Sequence, residues 1–211
     1  MTARSTTHRA ESSHYTRDCL PIVAACQQSA EMTVRAAQMV ILSIRYPFLD
    51  LAMPMADVDA HGAESRFIYG WKRDSLAYVE RNSAALHGIA RALYTQEIAL
   101  ADAVLAFSAV PGLGIVKASF LAQLTAGDGA CLDAHNVDSL GLARAAFRFP
   151  KTLTVAAQRA RIAAYNATWQ TVGDSAWWWD RWCDALASKR VARSMTGADV
   201  SRLHRTLILG G

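Results

Sequence analysis

The sequence predicts an all-α fold. Alanine recurs along the whole chain, apolar residues return at helical spacing, and the strict alternation of a half-buried strand is scarce. Hydrophobic residues make up 52% of the 211 residues and charged residues 19%, a balance that favours folding over disorder. That length suffices for one sizeable core, or for two small helical lobes sharing one.

The elements follow in order. Residues 1–16 are polar, with almost no large apolar side chain, and are expected to form a loose arm. Residues 17–211 are expected to form a single helical domain. From about Asp18 to Ile44 the pattern is helical, with Pro21 near a helix start. Residues 45–70 carry Pro47, Pro54 and two glycines, and read as a long connection with short helical turns. Asp74 reads as the N-cap of a helix over 75–94, and Thr95 opens the next one, to about Ala109. Val110-Pro111-Gly112-Leu113-Gly114 interrupts the pattern, and 115–125 resumes it. Gly127, Asp128 and Gly129 break it again before a helix that starts near 133–136. Another helix spans about 155–172, Asp174 caps one running to Lys189, and a short one lies near 198–209. No internal repeat is evident.

Composition excludes several function classes. No run reaches the roughly 18 apolar residues of a membrane span. The nearest, Met39–Ile44, lies between Arg35 and Arg45 and reads as buried helix, so no membrane partner is expected. The four cysteines (Cys19, Cys26, Cys131 and Cys183) contain no CxxC pair. They read as reduced thiols in a cytoplasm, mostly buried as small apolar residues. Neither a metal nor a cofactor is expected. The net charge of +4 is mild for a nucleic-acid binder, so its distribution matters more than its total.

That distribution favours an anion at one place. Val110 to Phe120 reads as a tight hairpin between two helices. Gly112 and Gly114 permit positive φ and a close approach to the backbone. The amides after them open a helix N-terminus, which attracts a phosphate through its N–H groups and dipole. Gly112, Gly114, Lys117 and Ser119 are the candidate DNA contacts of the hairpin. A proline-glycine pair before a helix also serves as a plain turn. From Ser139 to Gly173 there is no Asp or Glu, yet Arg144, Arg148, Lys151, Arg159 and Arg161 are present. The run suits a bound backbone with salt-dependent contacts, and also an ordinary solvated face.

A second motif follows. Asp133 lies 19 residues after Gly114, within Cys131-Leu132-Asp133-Ala134-His135-Asn136. Hairpin and acid together resemble the helix-hairpin-helix DNA glycosylase superfamily, the endonuclease III and adenine glycosylase type. Val110-Pro111-Gly112-Leu113-Gly114 matches that family's L-P-G-V-G hairpin, and Leu132-Asp133-Ala134-His135 matches its V-D-T-H motif with the catalytic aspartate. The likeness covers 110–136 directly. It implies double-stranded DNA as partner, a glycosylase-like helical fold and Asp133 as catalytic acid. Two features depart from the pattern. Val116 takes the place of the lyase lysine, and Lys117 comes one residue later, about 100° round a helix, so it is expected to point elsewhere. The four-cysteine cluster of the family is missing.

A closer likeness runs through Gly112 to Leu124, Cys131 to Asn136 and Trp179-Asp180-Arg181-Trp182-Cys183. These resemble the bacteriophage α-glutamyl/putrescinyl thymidine pyrophosphorylases, or amino acid:DNA transferases. That resemblance implies thymine hypermodification in a host cytoplasm. An amine or amino acid would displace pyrophosphate from 5-pyrophosphoryloxymethyl-uracil in DNA. Asp133 would deprotonate or orient the amine, while Lys117, Lys72 or Arg73 would hold the leaving pyrophosphate. Base excision by the same aspartate is the alternative, and a helical DNA-binding protein without catalysis is the third.

The remaining candidates are pocket residues. His135 and Asn136 follow the acid and either contact a base or cap a helix. Arg66 to Arg73 mixes Tyr69 and Trp71 with Lys72 and Arg73 in an expected loop, suited to a flipped base or a phosphate. Trp177 to Cys183 suits a stacking platform, but residues 178 and 182 share a helical face and read mainly as core.

Overall fold

The structure is a computed structural model that describes residues 22–44, 50–66, 70–141, 154–187 and 197–209. The expected arm over 1–16 lies outside them. Among the described residues all regular structure is helical: α1 (Val23–Gln28), α2 (Ala30–Ser43), α3 (Ala52–His61), α4 (Gly70–Arg81), α5 (Ser83–Tyr94), α6 (Leu100–Phe107), α7 (Ile115–Ala126), α8 (Ala134–Ser139), α9 (Val155–Gln170), α10 (Ser175–Ala187) and α11 (Gly197–Leu209). None of these helices is long and apolar enough to cross a membrane.

Helix α7 is the axis of the fold. Every residue from Ala118 to Ala126 is buried, so α7 is covered on all sides beyond its first turn. Helices α1, α2, α5 and α6 pack round it. Arg35 of α2 binds two further helices. Its Nε donates to the Leu207 carbonyl of α11 at 2.9 Å, and its guanidinium forks onto the Asp59 carboxylate of α3.

Several boundaries differ from the expected ones, each for a local reason. The helical stretch over 18–44 divides at Ser29, which is extended and whose Oγ accepts from the Met32 amide at 3.1 Å. This is an N-cap inside a continuous apolar pattern. The connection over 45–70 contains a ten-residue helix, α3. Pro54 is its third residue, in the first turn, where a missing N–H breaks no intrahelical bond. Asp74 is not a cap: α4 begins at Gly70 and carries Asp74 exposed in its interior. The break comes at Asn82, whose side-chain amide donates to the Tyr78 carbonyl at 2.7 Å. Thr95 closes α5 rather than opening the next helix, because its hydroxyl takes the Arg91 carbonyl at 3.0 Å.

Candidate nucleic-acid interface and acidic site

The hairpin between α6 and α7 is a tight turn. The Leu113 amide donates to the Val110 carbonyl at 3.0 Å, with Pro111 and Gly112 between them. Gly112 has φ +82°, so proline followed by a left-handed glycine gives the type II pattern. Val110 and Leu113 are buried and anchor the turn, whereas Pro111, Gly112 and Gly114 are exposed. The first helical bond of α7 runs from the Ala118 amide to the Gly114 carbonyl at 2.9 Å. The amides of 115–117 precede it and belong to the helix's positive end.

Helix α4 buttresses this turn. Ser75 Oγ donates to the Pro111 carbonyl, and a Cβ on Gly112 would lie 2.7 Å from the Trp71 ring. The expected loop over 66–73 is therefore helical from Gly70 onward, with Trp71 against the hairpin and Arg73 exposed. Tyr69 lies outside the described residues.

Lys72 leaves the candidate pocket altogether. It is fully buried, and its Nζ donates to the Leu42 and Ile44 carbonyls at 2.9 and 2.6 Å. It caps the C-terminal end of α2, where the helix dipole is negative. Lys117 goes to the same end: its Nζ donates to Ser43 Oγ at 3.2 Å and lies 5.4 Å from the Phe120 ring centroid. Burial pushes the Cys131 thiol up to about 12, the Lys117 charge acting to lower it and that of Asp133 to raise it.

Between α7 and α8 the chain runs through 127–133, a loop that is largely buried. A buried loop must have its backbone polar groups satisfied. Side chains do this. The Gly129 amide donates to Ser175 Oγ at 2.9 Å and the Ala130 amide to Ser119 Oγ at 3.1 Å. The Tyr165 hydroxyl donates to the Ala130 carbonyl at 2.6 Å and accepts from the Leu132 amide at 3.1 Å. The Asn136 side-chain amide donates to the Cys131 carbonyl at 2.7 Å. Burial pushes the Tyr165 phenol well above its usual value, so it stays a neutral hydroxyl that both donates and accepts.

Ser119 and Asn136 are thereby reassigned. Both are buried and bind the loop from beneath, so neither reaches DNA or a substrate directly. His135 lies on α8, but its side chain is outside the described residues, as are Arg144, Arg148 and Lys151. Of the other basic residues in that stretch, Arg159 pairs with Asp102 of α6 at 3.0 Å.

Asp133 ends the loop. Its Oδ1 accepts from the Asn136 amide at 3.1 Å, capping α8, and its Oδ2 accepts from the Trp182 indole N–H at 3.2 Å. The carboxyl is partly exposed. Trp182 sits in an aromatic cluster, with ring centroids 5.1 Å from Phe120, 5.8 Å from Trp179 and 4.6 Å from His204. Trp178, Trp179 and Trp182 are buried, which makes this cluster core, not a stacking platform.

His204 is fully buried among these rings, and burial pushes its imidazole well below the usual value of about 6.5. The unfolded chain then binds a proton that the folded one refuses. Stability from this residue is complete above about pH 6.5 and is lost as pH falls from there through the folded value. The thermal midpoint is expected to drop between pH 7 and 5.5, and His204→Phe should flatten most of that slope. An equally steep slope in the variant would assign it elsewhere. His87, lowered by burial and by Arg91, contributes in the same direction.

Tyr165 and Ser175 carry the site's geometry yet were not candidates on sequence, and Trp182 reads there mainly as core. The readable signal was a polar tip on an apolar helical face: Tyr165 shares its face with Ile162 and Trp169, both buried. A buried tyrosine or tryptophan normally finds a hydrogen-bond partner. Which partner it finds is a matter of tertiary placement.

Fold and site together define an all-helical protein with an exposed glycine hairpin at the head of its central helix and a doubly anchored aspartate at the end of the following loop. No family model, curated protein or solved structure matches the chain.

Proposed function

We propose that the protein is a DNA-modifying enzyme of helix-hairpin-helix, glycosylase-like type, acting in thymine hypermodification. The hairpin grips a phosphate of duplex DNA, and Asp133 serves the chemistry. The amine nitrogen of an amino acid or polyamine attacks the 5-methylene carbon of 5-pyrophosphoryloxymethyl-uracil. The bond from that carbon to pyrophosphate breaks, and the proton shed by the amine goes to Asp133. The observation that carries this reading is the pairing of an exposed hairpin with Asp133, whose loop is anchored to the very helix the hairpin opens. The likeness over 112–124, 131–136 and 179–183 is what favours transfer over excision.

Gly114→Asp tests the grip. Gly114 has φ −88° and ψ −179°, and a Cβ there meets nothing within 4 Å. Aspartate is a good N-cap, so the fold should hold or gain slightly. Its carboxylate would nevertheless stand where the phosphate docks. Affinity for duplex DNA is expected to fall strongly and to depend less on salt. Unchanged binding by this folded variant would remove the hairpin from the interface. Mass spectrometry of nucleosides then separates the chemistries: a heavier thymidine nucleoside for transfer, free base for excision.

A further inference from the structure

Helix capping does not account for all that holds Asp133. A cap needs one acceptor oxygen, and Oδ1 supplies it to the Asn136 amide. The other oxygen is taken by Trp182, 49 residues away on α10. With a donor on each oxygen the carboxylate plane cannot rotate, and its remaining lone pairs keep fixed directions. The indole is itself immobilised. Phe120 of α7 and His204 of α11 lie at 5.1 and 4.6 Å from its ring centroid, and only 4% of Trp182 is exposed. Three helices therefore aim one N–H at one carboxylate oxygen. Asp133 meanwhile stays partly open to solvent.

The geometry points to Trp182 as a positioning residue for Asp133, holding the carboxylate in the orientation in which it receives the amine proton. This rests on the reading of Asp133 as the catalytic base. Trp182 touches no substrate. It acts through the aspartate, and the ring cluster serves to fix the direction of its N–H.

Two measurements test this. The first needs no turnover. In protein carrying 15N-labelled indoles, the Trp182 N–H signal is identified by its loss in Trp182→Phe. It should move in Asp133→Asn. The second uses a duplex oligonucleotide carrying 5-pyrophosphoryloxymethyl-uracil, with glutamate or putrescine as amine. Trp182→Phe keeps an aromatic ring and loses only the donor. Its kcat is expected to fall about 10- to 100-fold, as for a slightly misplaced catalytic group, with KM for DNA unchanged. In an Asp133→Asn background the same change should cost nothing further, because the two residues act as one unit. If no indole N–H signal moves in Asp133→Asn the inference is overturned, even where Trp182→Phe does not fold. So does wild-type kcat in Trp182→Phe beside an inactive Asp133→Asn, and in that case the reading of Asp133 stands. Full turnover by Asp133→Asn overturns the reading and the inference together, and is seen at position 133 alone.

Discussion

Asp133→Asn is expected to cut turnover by about 10²- to 10⁴-fold, the usual loss on removing a general base, while binding of duplex DNA survives. Two structural facts make the variant informative. Asparagine caps a helix about as well as aspartate, so the bond from the Asn136 amide at 3.1 Å has a ready replacement. The Trp182 N–H at 3.2 Å from Oδ2 does not. An amide has one oxygen; if it serves the cap, its NH2 faces the indole donor. That leaves a donor inside the fold without its acceptor, at a cost of about 1–3 kcal/mol. A modest fall in the folding midpoint is thus expected whether or not Asp133 is catalytic. Turnover must be measured where the variant is fully folded. A folded Asp133→Asn protein with wild-type rate in both the transfer and the excision assay would falsify the catalytic role.

Gly129→Ala is expected to be the most destabilising single change in the site. Gly129 has φ +116°, a region that L side chains rarely enter. A Cβ there would lie 2.6 Å from the Ser119 backbone carbonyl and 3.0 Å from Ser119 Oγ. Ser119 is in the buried part of α7 and cannot yield. Backbone strain costs about 1–3 kcal/mol and overpacking a similar 1–3 kcal/mol. The loop would be driven off the anchors that Ser119, Ser175 and Tyr165 supply. A loss of about 2–6 kcal/mol stands against a whole-protein stability of roughly 5–15 kcal/mol. Urea denaturation should show either a much lower midpoint or no folded protein. A midpoint equal to that of the wild type would mean that the loop does not lie against α7 as described.

The hairpin was legible in the sequence because its signal is local. Proline and glycine set the turn within five residues, and the turn type depends on nothing further away. The helix start near 133–136 was legible for the same reason: the bond that caps it joins Asp133 to the amide three residues on. The loop expected over 66–73 is wrong from Gly70 onward, since aromatics and cations without a cap carry no boundary signal. Packing of Trp71 on Gly112 and burial of Lys72 against the end of α2 hold its latter part in a helix.

By itself, then, the sequence determined the all-helical class, the tight turn at 110–114, the helix start near 133–136 and the burial of most of the tryptophan run, because each follows from spacing and backbone preference over a few residues. Only the tertiary structure decided which lysines leave the site, which hydroxyls bind the loop and which donor holds the second oxygen of Asp133. Those contacts join residues 28 to 74 positions apart for the two lysines and 11 to 49 for the loop and its aspartate. A buried polar atom must find a partner, but sequence spacing does not name that partner once the chain has folded back on itself.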